Sequence, residues 1–254
     1  MSSRSAREAR TVHAVTPQVG DEPREMRALE PPGDWIFHLI VEAIGTAALL
    51  FFGISAIAHT GGENLVAIAL AHGIAIAVMV AATGHISGGA FNPAVVVALL
   101  IARKVTPAKG AMYVVAQLAG AALGAVLATT LFPADALTKV GYGVPAIGQG
   151  FSATNALMAE IVTTFFLAYV IFGVAVDKRG PSTIASLMIG LTIVIDILAT
   201  GGVSGAAMNP ARWFGAAIVA GNFADAWIWW VGPIIGASIA AGLYFFGYLR
   251  GRDA

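Results

Sequence analysis

Cysteine is absent from the 254 residues. That excludes disulfide bonds, thiolate nucleophiles and cysteine-ligated zinc or iron–sulfur centres together. Charge is scarce, with Asp, Glu, Lys and Arg making up 11% of the chain. A soluble domain carries about 25%, so there is too little charge here to coat a water-facing surface. Neither sign is in excess, because 14 basic residues balance 14 acidic ones, and nothing marks a nucleic-acid partner. No metal site and no cofactor is expected. What the chain does have is apolar residues, 58% of the total. It reads as an integral membrane protein, and the question is what crosses through it.

Residues 1–34 are polar and rich in Pro and Arg, and read as a flexible cytoplasmic tail rather than a signal peptide, since no short apolar core with a small-residue cleavage site follows. Residues 249–254 read as a short C-terminal tail. Between them, six runs are long enough to cross a hydrocarbon core of about 30 Å: Ile36–Ala58, Leu65–Thr83, Ala111–Phe132, Ala153–Val176, Thr183–Ala199 and Ala226–Tyr248. The runs are continuous rather than alternating, which favours helices over barrel strands. Six crossings put both termini on one side. Arg4, Arg7, Arg10, Arg24, Arg27, Arg103, Lys104, Lys109, Lys178, Arg179, Arg250 and Arg252 then share that side, and only Lys139 and Arg212 fall opposite. The positive-inside rule makes it the cytoplasm, and the chain reads as a multi-pass protein of a plasma or inner membrane.

Two further apolar pieces, Ala94–Ala102 and Ala211–Ala220, are about ten residues each, roughly 15 Å of helix and half a membrane. They sit at matching places in two halves, 35–132 and 153–248. The first half reads Ser87-Gly88-Gly89-Ala90-Phe91-Asn92-Pro93-Ala94 and the second Ser204-Gly205-Ala206-Ala207-Met208-Asn209-Pro210-Ala211. Glu42 and Thr46 are mirrored by Glu160 and Thr164, and Gln117 and Gly120 align with Pro233 and Gly236. Each half has an odd number of spans, so the two lie inverted in the bilayer. The expected architecture is all-α, with six transmembrane helices and two half-membrane re-entrant helices in an inverted repeat (residues 35–248).

Proline suits the first helical turn and asparagine the N-cap, so Asn92-Pro93 and Asn209-Pro210 open the half-helices, whose N-termini meet near the midplane. Irregular backbone at that depth is tolerated only where it lines a wet cavity or is buried in protein. Its carbonyls then offer acceptors, the asparagine side chains add donors, and the two helix N-termini add positive potential.

These paired Asn-Pro-Ala motifs, with a Glu opening each half and Arg212 after the second motif, resemble the aquaporin, or major intrinsic protein, family over residues 35–248. That family is the standard example of a pore that passes neutral hydrogen-bonding molecules and excludes protons and ions. The resemblance implies a passive water channel, not an enzyme, assembled as a homotetramer, with Asn92, Pro93, Ala94, Asn209, Pro210 and Ala211 at its centre. It also implies an aromatic/arginine filter at His72, Ile197, Ala206 and Arg212, similar to the plant tonoplast-type subgroup. One ring fewer than the usual water filter leaves a broader channel for glycerol, urea or ammonia as the alternative. Loop 132–152 lacks the histidine that ammonia-conducting members carry there. Ala217, Trp229 and Trp230 lean away from the glycerol branch. Ile76 and Ile193 are expected in the pore wall.

Glu42, Glu160 and Asp196 lie inside spans, where charge is costly and points to function. The two glutamates occupy equivalent positions and are expected to support the loops before the half-helices rather than to relay protons. Asp196 has no counterpart, and Trp213 replaces a small residue of the family. His85 reads as a loop residue, and His72 as the better candidate for a pH-sensitive group. Two rival readings have a foothold in the chain. Gly202-Val203-Ser204-Gly205 is the foothold for a serine peptidase, but Ser204 repeats Ser87. A secondary transporter shares inverted repeats and broken helices, but no charge stands beside the midplane motif to couple an ion.

Overall fold

The computed structural model describes residues 35–249. The two tails lie outside them, apart from Leu249. The helices are α1 (Trp35–Thr60), α2 (Leu65–Ser87), α3 (Pro93–Ile101), α4 (Pro107–Thr129), α5 (Ala134–Lys139), α6 (Ala153–Ile171), α7 (Ala185–Ser204), α8 (Pro210–Ala220) and α9 (Ala226–Gly242). Wider turns extend α6 to Val176 and α9 to Leu249, and a short turn at Ser182–Ile184 leads into α7. Six spans of 23–26 residues result, each about 35 Å or more at 1.5 Å per residue. The protein is an all-helical, multi-pass membrane protein, and no strand occurs among the described residues.

The boundaries differ from the sequence reading in instructive ways. The second and fifth spans run four or five residues further, to Ser87 and Ser204, because each ends on a glycine in the left-handed conformation, Gly88 (φ 94°) and Gly205 (φ 77°). Only glycine adopts that stop without a Cβ penalty. The third span starts early, at Pro107, where Thr106 Oγ1 caps the Lys109 N–H at 3.3 Å. α5 is a six-residue helix that no apolar run marks. His85 lies in the last turn of α2 and is exposed, rather than in a loop.

Large apolar side chains face outward, as at Phe37, Val115 and Phe246, each 60% exposed or more, while Glu42, Gln117 and Glu160 are fully buried. Such an inside-out distribution suits lipid as solvent. Within it the helices approach through glycine. A Cβ on Gly120 or Gly124 of α4 would stand 2.1 Å from the Ala43 or Ala47 carbonyl of α1. A Cβ on Gly236 of α9 would stand 2.2 Å from the Ile161 carbonyl of α6. These glycines therefore serve helix crossings inside one chain, where small residues let backbones close up.

The half-helices are exchanged between repeats: α3 packs mainly on α9 of the second half, and α8 on α4 of the first. Neither half can be complete alone. Gly236→Ala is expected to cost at least about 1–3 kcal/mol by overpacking against backbone. Thermal unfolding in detergent checks it against Gly242→Ala, where a Cβ meets nothing within 4 Å and the change should stay within about 0.5 kcal/mol.

Candidate functional site: two re-entrant loops and a buried arginine

Every letter of the doubled motif has a physical task. Ser87 and Ser204 end the preceding helices, and the glycine after each is the left-handed stop. The next residues run irregularly, with Phe91 (φ 47°), Ala206 (φ 42°) and Met208 (φ 52°) in the left-handed region without being glycine. That conformation costs of order 1–3 kcal/mol each and persists where the surroundings enforce it.

The enforcement comes from the two intramembrane glutamates. Glu42 Oε1 accepts from Ser87 Oγ at 2.7 Å and the Ala90 N–H at 3.1 Å. Its Oε2 accepts from the Phe91 N–H at 2.7 Å and Gln117 Nε2 at 2.8 Å. Glu160 repeats the pattern with Ser204 Oγ at 2.7 Å, the Ala207 N–H at 2.8 Å and the Met208 N–H at 2.6 Å. Hydrogen bonds to a carboxylate contribute about 1.5–3 kcal/mol, enough to offset the strain at the residue they hold. The serines also accept from the Gly89 and Ala206 N–H groups, at 3.0 and 3.1 Å.

The asparagines cap their half-helices. Asn92 Oδ1 accepts from the Ala94 N–H at 2.9 Å, and Asn209 Oδ1 from the Ala211 and Arg212 N–H groups at 3.0 and 3.2 Å. Pro93 and Pro210 take the first helical positions. One contact was not legible in the sequence. Asn92 Nδ2 donates to the Met208 carbonyl and Asn209 Nδ2 to the Phe91 carbonyl, both at 2.8 Å. Each amide has two N–H donors, so this cross-link uses one and leaves the other for the centre.

His72 on α2, Ile197 on α7, Ala206 in the second loop and Arg212 on α8 are all buried. His72 Nδ1 lies 2.8 Å from the Ile68 carbonyl. A carbonyl only accepts, so Nδ1 carries the hydrogen, and in a neutral ring Nε2 is then the acceptor. Arg212 Nη2 is 3.3 Å from that Nε2. Arg212 Nε and Nη1 are buried without a protein partner, so the guanidinium keeps donors in reserve. Ile76 and Ile193 join Ile197, Ala206, Phe91 and Met208 in one buried apolar cluster.

Around this centre the repeats diverge. Tyr113 OH donates to the Ser87 carbonyl at 2.9 Å. Trp229, at the equivalent place on α9, donates from Nε1 to the Ser204 carbonyl at 3.0 Å. Trp213 stacks on Trp229, centroids 5.8 Å apart and planes 6° apart, which accounts for the bulky residue after Arg212. The segment between α5 and α6 crosses the second loop, with the Gly148 N–H on the Val203 carbonyl at 2.9 Å and Pro145 against Gly205. Gly148, where a Cβ would run into the Gly202 carbonyl, is the residue that permits that approach. Asp196 is buried on α7, and its Oδ2 has no hydrogen-bond partner. Among the described residues there is no His, Cys, Asp or Glu group that could hold a metal ion.

Six spans, two half-helices meeting end to end and a buried arginine at their junction define a membrane channel of inverted-repeat type. The major intrinsic protein family model matches residues 34–244. The chain is 40% identical over 216 residues to "Aquaporin TIP4-4" of Zea mays, covering 81% of this chain and 84% of that one. To "Aquaporin-4" of Mus musculus it is 39% identical over 210 residues, covering 80% and 64%. Among solved structures, the aquaglyceroporin from Plasmodium falciparum superposes with a TM-score of 0.74 at 25% identity, covering 83% of this chain and 96% of that one. The chain belongs to the major intrinsic protein, or aquaporin, family, whose members are channels and not enzymes.

Glu160→Gln tests the brace. An amide has one acceptor oxygen where the carboxylate has two, so at least one buried donor among Ser204, Ala207 and Met208 is left unpaired, at about 1–3 kcal/mol. The expected outcome is a lower unfolding temperature in detergent together with reduced water flux in proteoliposomes. Unchanged values in both would show that the carboxylate is not what holds the loop.

Proposed function

We propose that the protein conducts water passively down an osmotic gradient and excludes protons and ions. The observation that carries this reading is the state of the Arg212 guanidinium. It is buried, it is held on one side by His72 Nε2, and it has Nε and Nη1 unclaimed. Such a site offers donors and positive charge together. A neutral molecule with an acceptor oxygen exchanges onto it, while a cation meets repulsion reinforced by two inward-facing helix N-termini. Asn92 and Asn209 supply the donors at the centre, with Pro93, Ala94, Pro210 and Ala211 fixing where those donors stand. His72, Ile197, Ala206 and Arg212 form the filter, and Ile76 and Ile193 the apolar wall. Supporting this reading, the relatives named above are called aquaporins.

A second reading, a channel that also passes glycerol, urea or ammonia, has a specific observation in its favour. Two of the four filter positions are Ile197 and Ala206, so a single ring borders the arginine. The superposed aquaglyceroporin supports the same direction. By family membership and by the distribution of basic residues, the channel is further proposed to be a homotetramer of a plasma or inner membrane with cytoplasmic termini.

Stopped-flow light scattering of proteoliposomes tests the function. Fast shrinkage in sucrose without reswelling in glycerol or urea is the expected result. Reswelling would establish the broader channel, and shrinkage no faster than in empty liposomes would overturn both readings. Arg212→Val removes the charge, and its outcome is uptake of urea and leakage of protons, read with a trapped pH dye.

A further inference from the structure

Gly53 is buried in α1, a helix that carries none of the residues named for the filter. An added Cβ there would stand 2.4 Å from His72 Nε2, 2.8 Å from Cε1 and 2.9 Å from Cδ2. All three are atoms of one edge of the imidazole, so that edge rests directly on the glycine. We propose that Gly53 is a specificity-determining position of the channel, because the missing side chain is the seat that sets the His72 ring against Arg212. The inference rests on reading His72 and Arg212 as part of the filter.

The ring has little freedom to yield. Its other edge is tied through Nδ1 to the Ile68 carbonyl one turn back on the same helix, at 2.8 Å. Its Nε2, the atom nearest the added carbon, is the one that faces Arg212 Nη2 at 3.3 Å. Moving Nε2 to an ordinary carbon–nitrogen contact needs a shift of about 1 Å. A water molecule is about 2.8 Å across, so that shift is a large fraction of a single-file aperture. Arg212 has no other hydrogen-bonded side-chain anchor, since Nε and Nη1 are without partners. A methyl group at position 53 therefore displaces the ring and releases the guanidinium in one step. Gly53 touches no permeant in this account and acts as a positioning residue through His72.

The test compares wild type, Gly53→Ala, His72→Ala and the double variant, each purified as monodisperse full-length protein and reconstituted at equal density. Water and urea permeabilities are read by stopped flow. Gly53→Ala is expected to lower water permeability roughly tenfold, because pore width and lining donors decide conduction. His72→Ala is expected to admit urea. In the double variant water permeability returns to within about threefold of His72→Ala, since the methyl then fills the space the ring has left. A Gly53→Ala protein that fails to fold, beside a double variant that folds and conducts, supports the same steric pairing. Wild-type behaviour of Gly53→Ala beside an altered His72→Ala overturns the role of Gly53 alone, as does a double variant no more permeable than Gly53→Ala. A His72→Ala channel with unchanged urea exclusion overturns the filter reading and this inference with it.

Discussion

The join between Asn92 and the Met208 carbonyl, with its mirror between Asn209 and the Phe91 carbonyl, is the contact on which the rest depends. It holds two strained, non-helical loops against each other at a depth where an unsatisfied backbone group costs several kcal/mol. Both ends of each bond are fixed from behind. The asparagine is bound to its own half-helix as cap, and the carbonyl belongs to a residue whose N–H is held by Glu42 or Glu160. A break at any one of these points releases a buried donor or acceptor, so the loops, the half-helix starts and the glutamates form one unit.

Packing reinforces the unit by exchange. With α3 lying against α9 and α8 against α4, each half-helix completes the opposite repeat. The close crossings of α1 with α4 and of α6 with α9, where glycines meet carbonyls, then fix the distance between the walls. A rigid wall makes a narrow aperture meaningful, since selectivity by size requires that the frame not give.

On this near-symmetric frame the chemistry is one-sided. The first loop is braced by Tyr113 and Gln117 and the second by Trp229 with Trp213 stacked on it. Pro233 stands where Gln117 would and can donate nothing. Only the second half-helix carries an arginine, and only there do a histidine from α2 and the loop at Ala206 converge. Symmetry supplies the backbone scaffold, and its local failure supplies a site with one charge.

Much of this was legible in the chain. Continuous apolar runs, the doubled Ser-Gly-x-Ala-x-Asn-Pro-Ala string and the equivalent glutamates carry the inverted repeat, because a half-membrane helix, its cap and its prolyl start are local matters written in adjacent residues. The positions His72, Ile197, Ala206 and Arg212 came from resemblance to the family rather than from spacing. The glutamate support of the loops was readable from the repeat, but particular contacts between distant segments stayed hidden: the crossed asparagine bonds, the stacking of Trp213 on Trp229, the loop over Gly205 and the approach of His72 to Gly53. A glycine or tryptophan reads the same in sequence whether it faces lipid or a buried ring. Composition and local pattern therefore determined that the chain spans the membrane six times and re-enters it twice. Which side chains meet, and so which hydrogen bonds form inside the protein and which donors stay unpaired, was decided by the tertiary structure alone, because those contacts join residues up to about 140 positions apart.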